Sequence, residues 1–444
     1  MKDVLRSENR RAAYALSVLF VINAMNFFDR VIGGALGEPI RREFNLSDGA
    51  LGALGTAFTL LYAFVGVPLG RLSDRAPRKT ILGIAVFVWS ALTALSGVTR
   101  NFWQLFATRL GVGVGEAACA PAATSLIGDL FPPQRRARAL SLFMMGLPIG
   151  IALSYLVGSY VAASYGWRAA FLVAGIPGVL AAVAAFFIDE PQRGTKEATN
   201  VGTRKREGSA YKVLLSIPTM WWLILSGALH NFNMYALGSF LAPLMMRYHG
   251  ADLRQAGLIT MVVYGLSGIP GLLVGGALAD RWAVKRRDGR MLVTTITTAL
   301  SAPLMLLALM RPAGDVVLFV LFGSLACMLM YVYYVSVYAA LQDVVEPSLR
   351  GTAMALYFFA LYVFGASLGP LATGMTSDYF TRKAALAAGI TATTPAALEP
   401  FRGTGLHSAM YLLPILSLIL ALVLYAGSRT VGKDMERMRK ELEG

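Results

Sequence analysis

Four ionisable residues lie inside apolar stretches of the N-terminal part of the chain. Asp29 and Arg30 are adjacent in "AMNFFDRVIGGAL", and Arg109 and Glu116 stand in "RLGVGVGEA". Seven residues are almost two turns of a helix, so Arg109 and Glu116 are predicted to project from nearly the same face. Two acids that can exchange arginine partners for protons would make a proton-responsive gate. We interpret Glu116 as the best proton carrier and Asp29 as the second.

The two arginines have separate predicted roles. Arg30 is the competing partner of an acid or the anchor for an anionic head of a substrate, and Arg109 either orients Glu116 or lies near the membrane face. Arg30, Arg109 and Glu116 are therefore candidate substrate-binding residues. An acid in a low-dielectric site holds its proton more tightly unless an arginine stabilises its charged form. The alternative is a permanently paired ion cluster that only fixes helix packing.

The elements that must position these residues are membrane helices. Of the 444 residues, 56% are hydrophobic and only 15% are charged, a composition far more apolar than that of a soluble domain. Apolar stretches of about 20 residues can cross a hydrocarbon core of about 30 Å as helices. The twelve predicted spans are 12–40, 48–70, 79–98, 102–128, 136–163, 168–188, 219–247, 253–279, 291–310, 315–342, 351–377 and 405–427. Charges at that depth cost about 2.5 to 3.5 kcal/mol each on insertion scales, which favours a functional role for the four residues.

Lys and Arg concentrate in the N-terminal segment, in the loops that follow even-numbered spans and in the C-terminal tail. This bias predicts that both termini are cytoplasmic. It also explains the net charge of +15, so nucleic-acid binding is not expected. Cys119 and Cys327 lie within spans and are interpreted as small buried hydrophobes. Metal-ligand spacing, a nucleotide-binding loop and a nucleophile with its base are not recognisable, so neither a cofactor nor an enzymatic activity is expected.

The loop motifs of the first part of the chain recur in the second. "GRLSDRAPRK" (70–79) resembles part of "LVGGALADRWAVKRR" (273–287), and "GDLFPPQRRARALSLF" (128–143) resembles "QDVVEPSLRGTAMALY" (342–357). The matched residues are Gly70 with Gly276, Asp74 with Asp280, Arg75 with Arg281, Asp129 with Asp343, Pro133 with Pro347 and Arg136 with Arg350. Two six-span halves in the same order are therefore predicted. They are residues 1–188 and 218–428, joined by an exposed cytoplasmic linker at 189–217 and followed by a cytoplasmic tail at 429–444.

The first copy of the loop motif predicts an electrostatic latch. Gly70 would permit close helix approach, and Asp74 would cap a helix or accept hydrogen bonds from a neighbouring helix. Arg75 and Arg78 would stay at the anionic cytoplasmic surface. The second copy keeps the glycine and the Asp-Arg pair and predicts a weaker latch. The alternative is that the basic residues only set the membrane topology.

Together these motifs resemble those of a known family. The loop motif, the sequence "RLGVGVGEA" of the fourth span and the twelve spans resemble the major facilitator superfamily. The combination with "NFFDRVI" and "GDLFPPQRRARALSLF" resembles its spinster group, which is associated with sphingosine-1-phosphate and lysolipid transport. The resemblance implies an all-α polytopic membrane protein with twelve transmembrane helices in two six-helix halves. It also implies that the latch holds the halves together on the cytoplasmic side while the transporter faces outward.

The second half has few charges at membrane depth and offers polar and aromatic residues instead. They include His230 and Asn231 in "GALHNFNMYALG", and Tyr331 and Tyr334 in "MYVYYVSVY". These four are candidate substrate-binding residues, since such groups can line a cavity for an amphipathic substrate. Plain helix packing or an interfacial aromatic belt would produce the same pattern.

Two prolines are predicted to kink their spans. Pro148 lies in "GLPIGIAL" and Pro270 in "GIPGLLVGG". A proline inside a helix removes a hydrogen bond and clashes with the preceding turn, so these positions are candidate bending points.

The expected function is secondary active transport by alternating access, because no ATP-hydrolysing domain is recognisable. Protons are favoured over sodium as the coupled ion, since the conspicuous buried groups are carboxylates that can be protonated. The resemblance implies an amphipathic lipid substrate with an anionic head, such as a lysophospholipid or sphingosine-1-phosphate, moved by a monomer in the inner membrane. The alternatives are a proton-coupled transporter of small organic anions or drugs, and a lipid scramblase or sensor without ion coupling.

Overall fold

The computed structural model describes residues 2–73, 76–191, 210–346 and 349–443. These residues are almost entirely helical. They fall into two compact units, with residues 1–44 and 57–202 in unit 1 and residues 45–56 and 203–444 in unit 2. Asp74, Arg75, Pro347 and most of the predicted linker lie outside the described residues. The latch assignments of Asp74 and Arg75 therefore stay predictions.

The nine helices described in unit 1 follow the six predicted spans, three of which are each divided into two helices. They are α1 (Lys2–Ala35), α2 (Gly37–Phe44), α3 (Asp48–Ser73, whose first residues belong to unit 2), α4 (Arg78–Ser96), α5 (Phe102–Glu116), α6 (Cys119–Leu130), α7 (Pro133–Met144), α8 (Gly146–Tyr165) and α9 (Trp167–Phe186). Helices are the expected solution here, because each helix satisfies its backbone hydrogen bonds within its own segment when no water is available.

The described part of unit 2 contains two π-helical segments in addition to its helices. The helices are α10 (Ala210–Leu215), α11 (Pro218–Arg247), α12 (Leu253–Thr260), π1 (Met261–Leu266), α13 (Gly268–Lys285), α14 (Gly289–Leu309), α15 (Val316–Asp343), α16 (Arg350–Leu361), π2 (Tyr362–Ala366), α17 (Leu368–Ala387), α18 (Pro395–Leu398), a 3-10 turn (Glu399–Phe401), α19 (Arg402–Met410) and α20 (Leu412–Glu443). The last helix continues beyond the predicted end of the twelfth span and includes residues 429–443 of the predicted tail.

The membrane character of the chain is confirmed. In the described part, 11 helical stretches are long and apolar enough to cross a membrane, and they coincide with eleven of the predicted spans. The remaining predicted span, 219–247, coincides with α11, a helix of 30 residues. Three buried polar residues within α11, His230, Asn231 and Asn233, lower its apolar character. The structure is therefore consistent with twelve spans.

Prolines interrupt four spans, and each interruption ends three or four residues before the proline. Pro121 follows the gap between α5 and α6, and Pro148 follows the break between α7 and α8. Pro270 and Pro370 stand four residues after the last residues of π1 and π2. A proline ring clashes with the carbonyl four residues earlier, and these breaks and widened turns relieve that clash. The kinks predicted at Pro148 and Pro270 stay predictions, and the structure places a helix break before Pro148 and π1 before Pro270.

Glycines of the fourth predicted span lie close to neighbouring helices. A Cβ on Gly113 would lie 2.5 Å from the backbone oxygen of Phe58, and one on Gly115 would lie 2.8 Å from Cβ of Trp89. The string of glycines in "RLGVGVGEA" therefore serves to pack α5 against α3 and α4. Cys119 and Cys327 are buried free thiols, as predicted.

Candidate functional site

The four ionisable residues of the N-terminal part come together in the interior of unit 1. Arg30 Nη2 lies 3.2 Å from Glu116 Oε2, with the two side chains 3% and 0% exposed. Arg30 Nη2 also donates to Asn26 Oδ1 at 3.0 Å. The guanidinium carbon lies 4.8 Å from the ring centre of Phe27 and 4.6 Å from that of Tyr62. The guanidinium is thus held by one carboxylate and two aromatic faces.

Arg109 and Asp29 complete this cluster in a different way. Arg109 Nη2 donates to the backbone oxygen of Asp29 at 2.7 Å, and both residues are buried. Arg109 therefore lies inside unit 1 and not near the membrane face. Within the described residues, Asp29 Oδ1 and Glu116 Oε1 have no hydrogen-bond partner. Each acid thus keeps one oxygen that can take up a proton or a new partner.

A break in the fourth span positions Glu116. This residue is the last of α5, and α6 begins only at Cys119. Across the break, the backbone NH of Ala118 bonds to the oxygen of Gly115 at 3.4 Å, a tighter turn than that of an α-helix. Pro121 causes the break, because it cannot donate to the preceding turn. Interrupted membrane helices typically line the binding sites of secondary transporters.

A second charged cluster in unit 1 lies around Arg78, at the start of α4. Arg78 was expected at the membrane surface, and this is wrong, since its side chain is 1% exposed. It forms ion pairs with Asp129 and, at 3.0 Å, with Glu190, and it donates to the hydroxyl of Ser125 at 3.0 Å and to the backbone oxygen of Pro191 at 2.9 Å. Arg78 therefore joins the start of α4 to the ends of α6 and of the segment after α9.

The electrostatics of Glu190, which lies beyond the predicted sixth span, follow from these contacts. Burial raises the pKa of the Glu190 carboxyl, but hydrogen bonds from the backbone and side chain of Arg78 and from the backbone of Lys79 outweigh it. The net effect holds that pKa below its usual value. The carboxylate is therefore charged at neutral pH and stabilises the buried guanidinium.

Unit 2 carries the counterpart of this cluster, in a more exposed form. Arg290 forms ion pairs with Asp343 and, at 3.2 Å, with Asp280, whose side chain is 74% exposed. Arg281 is exposed. Arg290 was not among the predicted residues, although its pairing with Asp343 corresponds to the pairing of Arg78 with Asp129 at a nearly constant sequence offset. A comparison of the two halves that extended beyond the loop motif would have matched Arg290 with Arg78.

The second repeated motif, residues 128–143 and 342–357, also forms the same contact in both units. Arg136 Nη2 donates to the backbone oxygen of Gly128 at 2.6 Å, and Arg350 Nε donates to that of Gln342 at 3.0 Å. Both arginines reach the last turn of the preceding span, where carbonyls lack helical partners. The repeat recognised in the sequence thus appears as an identical cap.

The glycines of the loop motifs do not support the packing role predicted for them. A Cβ placed on Gly70 or on Gly276 would meet no described heavy atom within 4 Å. Close helix approach, the reason given for Gly70, is therefore not observed among the described residues. The predicted gating role of Gly70, Asp280 and Arg281 remains a prediction.

The predicted polar and aromatic residues of unit 2 lie together on α11 and α15. The ring of His230 stacks on Tyr333 with centres 3.9 Å apart and meets Tyr334 edge-on at 4.8 Å. Asn231 Nδ2 donates to the backbone oxygen of Gly227 at 2.9 Å, which leaves its oxygen 3.5 Å from the Tyr334 hydroxyl. His230, Asn231 and Tyr333 are buried, whereas Tyr334 is half-buried.

Tyr331 lies deeper than a residue that lines an open cavity. It is buried, and its hydroxyl donates to the backbone oxygen of Tyr264 at 2.9 Å. Tyr264 belongs to π1, whose wide turn shifts the usual helical hydrogen bonds. Tyr331 therefore supports the site from behind, and its ring contacts Tyr334 at 5.9 Å between centres.

A buried ion network in unit 2 was missed by the sequence reasoning. Arg247 Nη1 lies 2.8 Å from Asp48 Oδ1, and the hydroxyl of Ser377 donates to Asp48 Oδ2 at 2.6 Å. Arg402 lies 3.9 Å from Asp48 and 3.7 Å from Asp378. The only sequence signal was the position of each charge at a span end, which is also where solvated charges occur. The network anchors the first turn of α3 within unit 2.

In unit 1, the buried Glu116 carboxylate can exchange its ion pair with Arg30 for a proton. In the part of the chain that the structure describes, no group of three or more His, Cys, Asp or Glu side chains could hold a metal ion.

Comparison with known proteins identifies the family. The model of the Major Facilitator Superfamily matches residues 18–370 and, in a second match, residues 223–437. An MFS-type efflux pump of Mycolicibacterium smegmatis is 33% identical over 373 residues, which are 84% of this chain and 86% of that protein. Protein spinster homolog 1 of Xenopus laevis is 30% identical over 386 residues, covering 83% of this chain and 73% of that protein.

A solved structure gives the same result. The crystal structure of a bacterial homolog to the human lysosomal transporter Spinster, in an inward-facing and unoccupied conformation, matches with a TM-score of 0.85 at 27% identity. The match covers 96% of this chain and 98% of that chain. The chain therefore belongs to the major facilitator superfamily of membrane transporters, and it resembles the spinster members of that family.

Proposed function

We propose that this protein is a proton-coupled secondary active transporter of an amphipathic lipid with an anionic head, of the lysophospholipid or sphingosine-1-phosphate type. The observation that carries the proposal is the buried pair of Arg30 and Glu116, with Asp29 and Arg109 beside it. A fully buried ion pair is weak support for stability, because desolvation offsets its attraction. Retaining four such groups at membrane depth favours a functional role.

In the proposed coupling step, the Glu116 carboxylate and the anionic head of the substrate compete for the Arg30 guanidinium. When Glu116 takes a proton, its carboxyl loses the charge that holds the Arg30 guanidinium. Arg30 then binds the anionic head of the substrate, and loss of the proton restores the pair with Glu116. Asp29 is the second proton carrier, and Arg109 keeps α1 in place through the Asp29 backbone. Each protonation of Glu116 thus exchanges one partner of Arg30 for another.

The lipid part of the proposal is supported by the resemblance to spinster proteins. The relative named an MFS-type efflux pump supports a second candidate of the same fold, a proton-coupled exporter of drugs or small organic anions. Both candidates use the same buried pair and differ in the substrate. In either case we propose an inner-membrane location with cytoplasmic termini, and gating by the Asp-Arg motifs at Asp74 and Arg75 and at Asp280 and Arg281.

The test is uptake of a labelled lysophospholipid into proteoliposomes with and without an imposed pH gradient. The proposal predicts accumulation against the lipid gradient for the wild type and only equilibration for Glu116→Gln. Glu43→Gln is the matched control, since Glu43 is also ion-paired with an arginine in unit 1 but is exposed. It should accumulate lipid as the wild type does.

The alternatives predict different patterns in this assay. Lipid movement that ignores the pH gradient in every variant would indicate a scramblase without ion coupling and would refute the proposal. Gradient-driven uptake of small organic anions or drugs in place of lipid would favour the efflux-pump candidate.

A further inference from the structure

The exposed face of α20 changes from apolar to basic along one continuous helix. Residues 412–428 contain no Asp, Glu, Lys or Arg, whereas residues 429–440 contain five Lys or Arg. In the first part the exposed large side chains are apolar, namely Ile415, Leu418, Ile419, Leu422 and Tyr425. In the second part four of the exposed basic side chains lie on one face, and we call them the basic stripe: Arg429, Lys433, Arg437 and Lys440.

The basic stripe is in line with the apolar face that precedes it. At about 100° per residue, Lys433 and Lys440 point within about 20° of the direction of Leu422, and the other two basic residues point within about 60° of it. Leu422 is 69% exposed, and an apolar side chain so exposed on a membrane helix faces lipid. The basic stripe therefore continues the lipid-facing side of α20 beyond its apolar part.

The acidic residues of the same segment are paired with other parts of unit 2. Asp434 Oδ2 accepts hydrogen bonds from the backbone NH of Thr219, at 2.9 Å, and from the hydroxyl of the same residue at the start of α11. Glu436 lies 3.1 Å from Arg287 and 3.5 Å from Lys440. These contacts fix the rotation of α20, so the basic stripe stays directed away from the rest of unit 2.

Arg429 leans back toward the apolar part of the helix. Its Nη2 donates to the hydroxyl of Tyr425, one turn earlier, and its guanidinium carbon lies 4.7 Å from the centre of that ring. Helical side chains lean toward the N-terminus of their helix, which for α20 is the membrane side. A tyrosine followed by a basic residue is typical of the level of the lipid headgroups. Arg429 therefore lies where α20 leaves the hydrocarbon core.

The next residues of the basic stripe lie within reach of the headgroup layer. At 1.5 Å per residue, Lys433 lies about 6 Å and Arg437 about 12 Å beyond Arg429 along the helix axis. The headgroup layer is about 5 to 7 Å thick on each side of the bilayer. The attraction of an anionic surface extends about 8 Å further at physiological ionic strength. Arg429 and Lys433 can thus contact lipid phosphates, and Arg437 acts through the surface field.

Membrane topology alone does not require this arrangement. The orientation of a membrane helix depends on how many Lys and Arg residues flank it, and not on the face from which they project. In α20 the basic residues instead form a row on the lipid-facing side, and the acidic residues pair with neighbouring segments. An anionic membrane surface is complementary to such a row.

We propose that the basic stripe binds the headgroups of anionic phospholipids of the surrounding bilayer and holds the end of α20 at the membrane surface. The inference goes beyond the proposed function and does not depend on which molecule is transported.

The test is native mass spectrometry of the full-length protein, released from detergent micelles that contain equal amounts of phosphatidylglycerol and phosphatidylcholine with the same acyl chains. One Lys or Arg near an anionic surface changes binding about fivefold. The wild type should therefore retain phosphatidylglycerol at least tenfold more often than phosphatidylcholine. Lys433→Gln combined with Arg437→Gln should lower this preference at least fivefold. Equal retention of the two lipids by the wild type would overturn the proposal.

Arg382→Gln combined with Lys383→Gln is the matched control. It removes the same charge from two exposed residues of α17, which are adjacent and point about 100° apart, so they do not form a row. The preference for phosphatidylglycerol should change by less than twofold in this variant. A loss as large as that of the stripe variant would indicate a general effect of net charge and would refute the assignment to the basic stripe.

Two other outcomes would also refute the proposal. If Arg30→Met abolishes the retention of phosphatidylglycerol and the stripe variant keeps it, the lipid binds at the transport site. If the wild type binds a peptide of glutamates through the basic stripe and does not distinguish the two phospholipids, the stripe recognises an acidic protein segment. Neither outcome bears on proton-coupled uptake, which is tested separately through Glu116.

Discussion

Removing Arg30 should expose how strongly the buried pair is coupled. Arg30→Met keeps a side chain of comparable length but leaves the Glu116 carboxylate, which is 0% exposed, without its guanidinium. Breaking one side of a buried ion pair typically costs about 3 to 5 kcal/mol. Replacing both partners, as in Arg30→Met with Glu116→Gln, removes the uncompensated charge and should recover most of that loss. The coupling energy of the cycle is therefore expected to be about 3 kcal/mol.

The exposed pair of Arg168 and Glu43 in the same unit is the control for this coupling energy. Its nitrogen and oxygen are closer, at 2.6 Å against 3.2 Å, but the side chains are 36% and 44% exposed. Solvent screening limits such pairs to about 0.2 to 1 kcal/mol. The same cycle with Arg168→Met and Glu43→Gln should therefore give a coupling energy several times smaller.

The assay is reversible unfolding of the purified protein in detergent at neutral pH, followed by helical circular dichroism. Lowering the pH until Glu116 is protonated should abolish the coupling of the buried pair, because a neutral carboxyl no longer attracts the guanidinium. Coupling energies below about 1 kcal/mol for both pairs would refute the argument that burial makes the Arg30 pair strong.

Three further predictions concern the supporting structure. Arg78→Gln should destabilise the protein by about 3 kcal/mol, because it leaves the buried Asp129 carboxylate without its guanidinium. Arg290→Gln should cost about 1 kcal/mol or less, and equal shifts of the melting temperature would contradict this. Because folding lowers the pKa of Glu190, its carboxylate should stabilise the protein above the usual pKa and lose this contribution as the pH falls through the folded-state pKa. Glu190→Gln should therefore flatten the acid limb of a plot of stability against pH. Gly113→Ala should destabilise the protein, since the added Cβ would lie 2.5 Å from the backbone of α3. Gly128→Ala, whose Cβ would meet no described atom within 4 Å, should stabilise the protein by up to about 1 kcal/mol in the same unfolding assay.

The sequence was most informative where the bilayer restricts the chain. Spans follow from apolar length, because a membrane admits only helices or barrels. The grouping of Arg109 with Glu116 followed from helical spacing, and their meeting with Asp29 and Arg30 followed from the cost of leaving charges in lipid. The breaks at Pro148 and Pro270 followed from the covalent geometry of proline.

The remaining features depend on contacts between residues far apart in the chain. Arg78 was placed at the surface because its loop is basic, yet Asp129 and Glu190, which neutralise it, are 51 and 112 residues away. Asp48 resembled an ordinary charge at a helix start, and its partner Arg247 is 199 residues away. Local patterns contain no information about such pairing, and only the repeat indicated where one of the pairs recurs.

The central claim is that movement of the lipid and of protons is one process. The most direct measurement imposes a lysophospholipid gradient on proteoliposomes that enclose a pH-sensitive dye, with no initial pH difference, and follows the internal pH. We predict a lipid-driven pH change in the wild type that is absent in Glu116→Gln and in protein-free liposomes. Lipid transport by the wild type without any pH change would contradict the account.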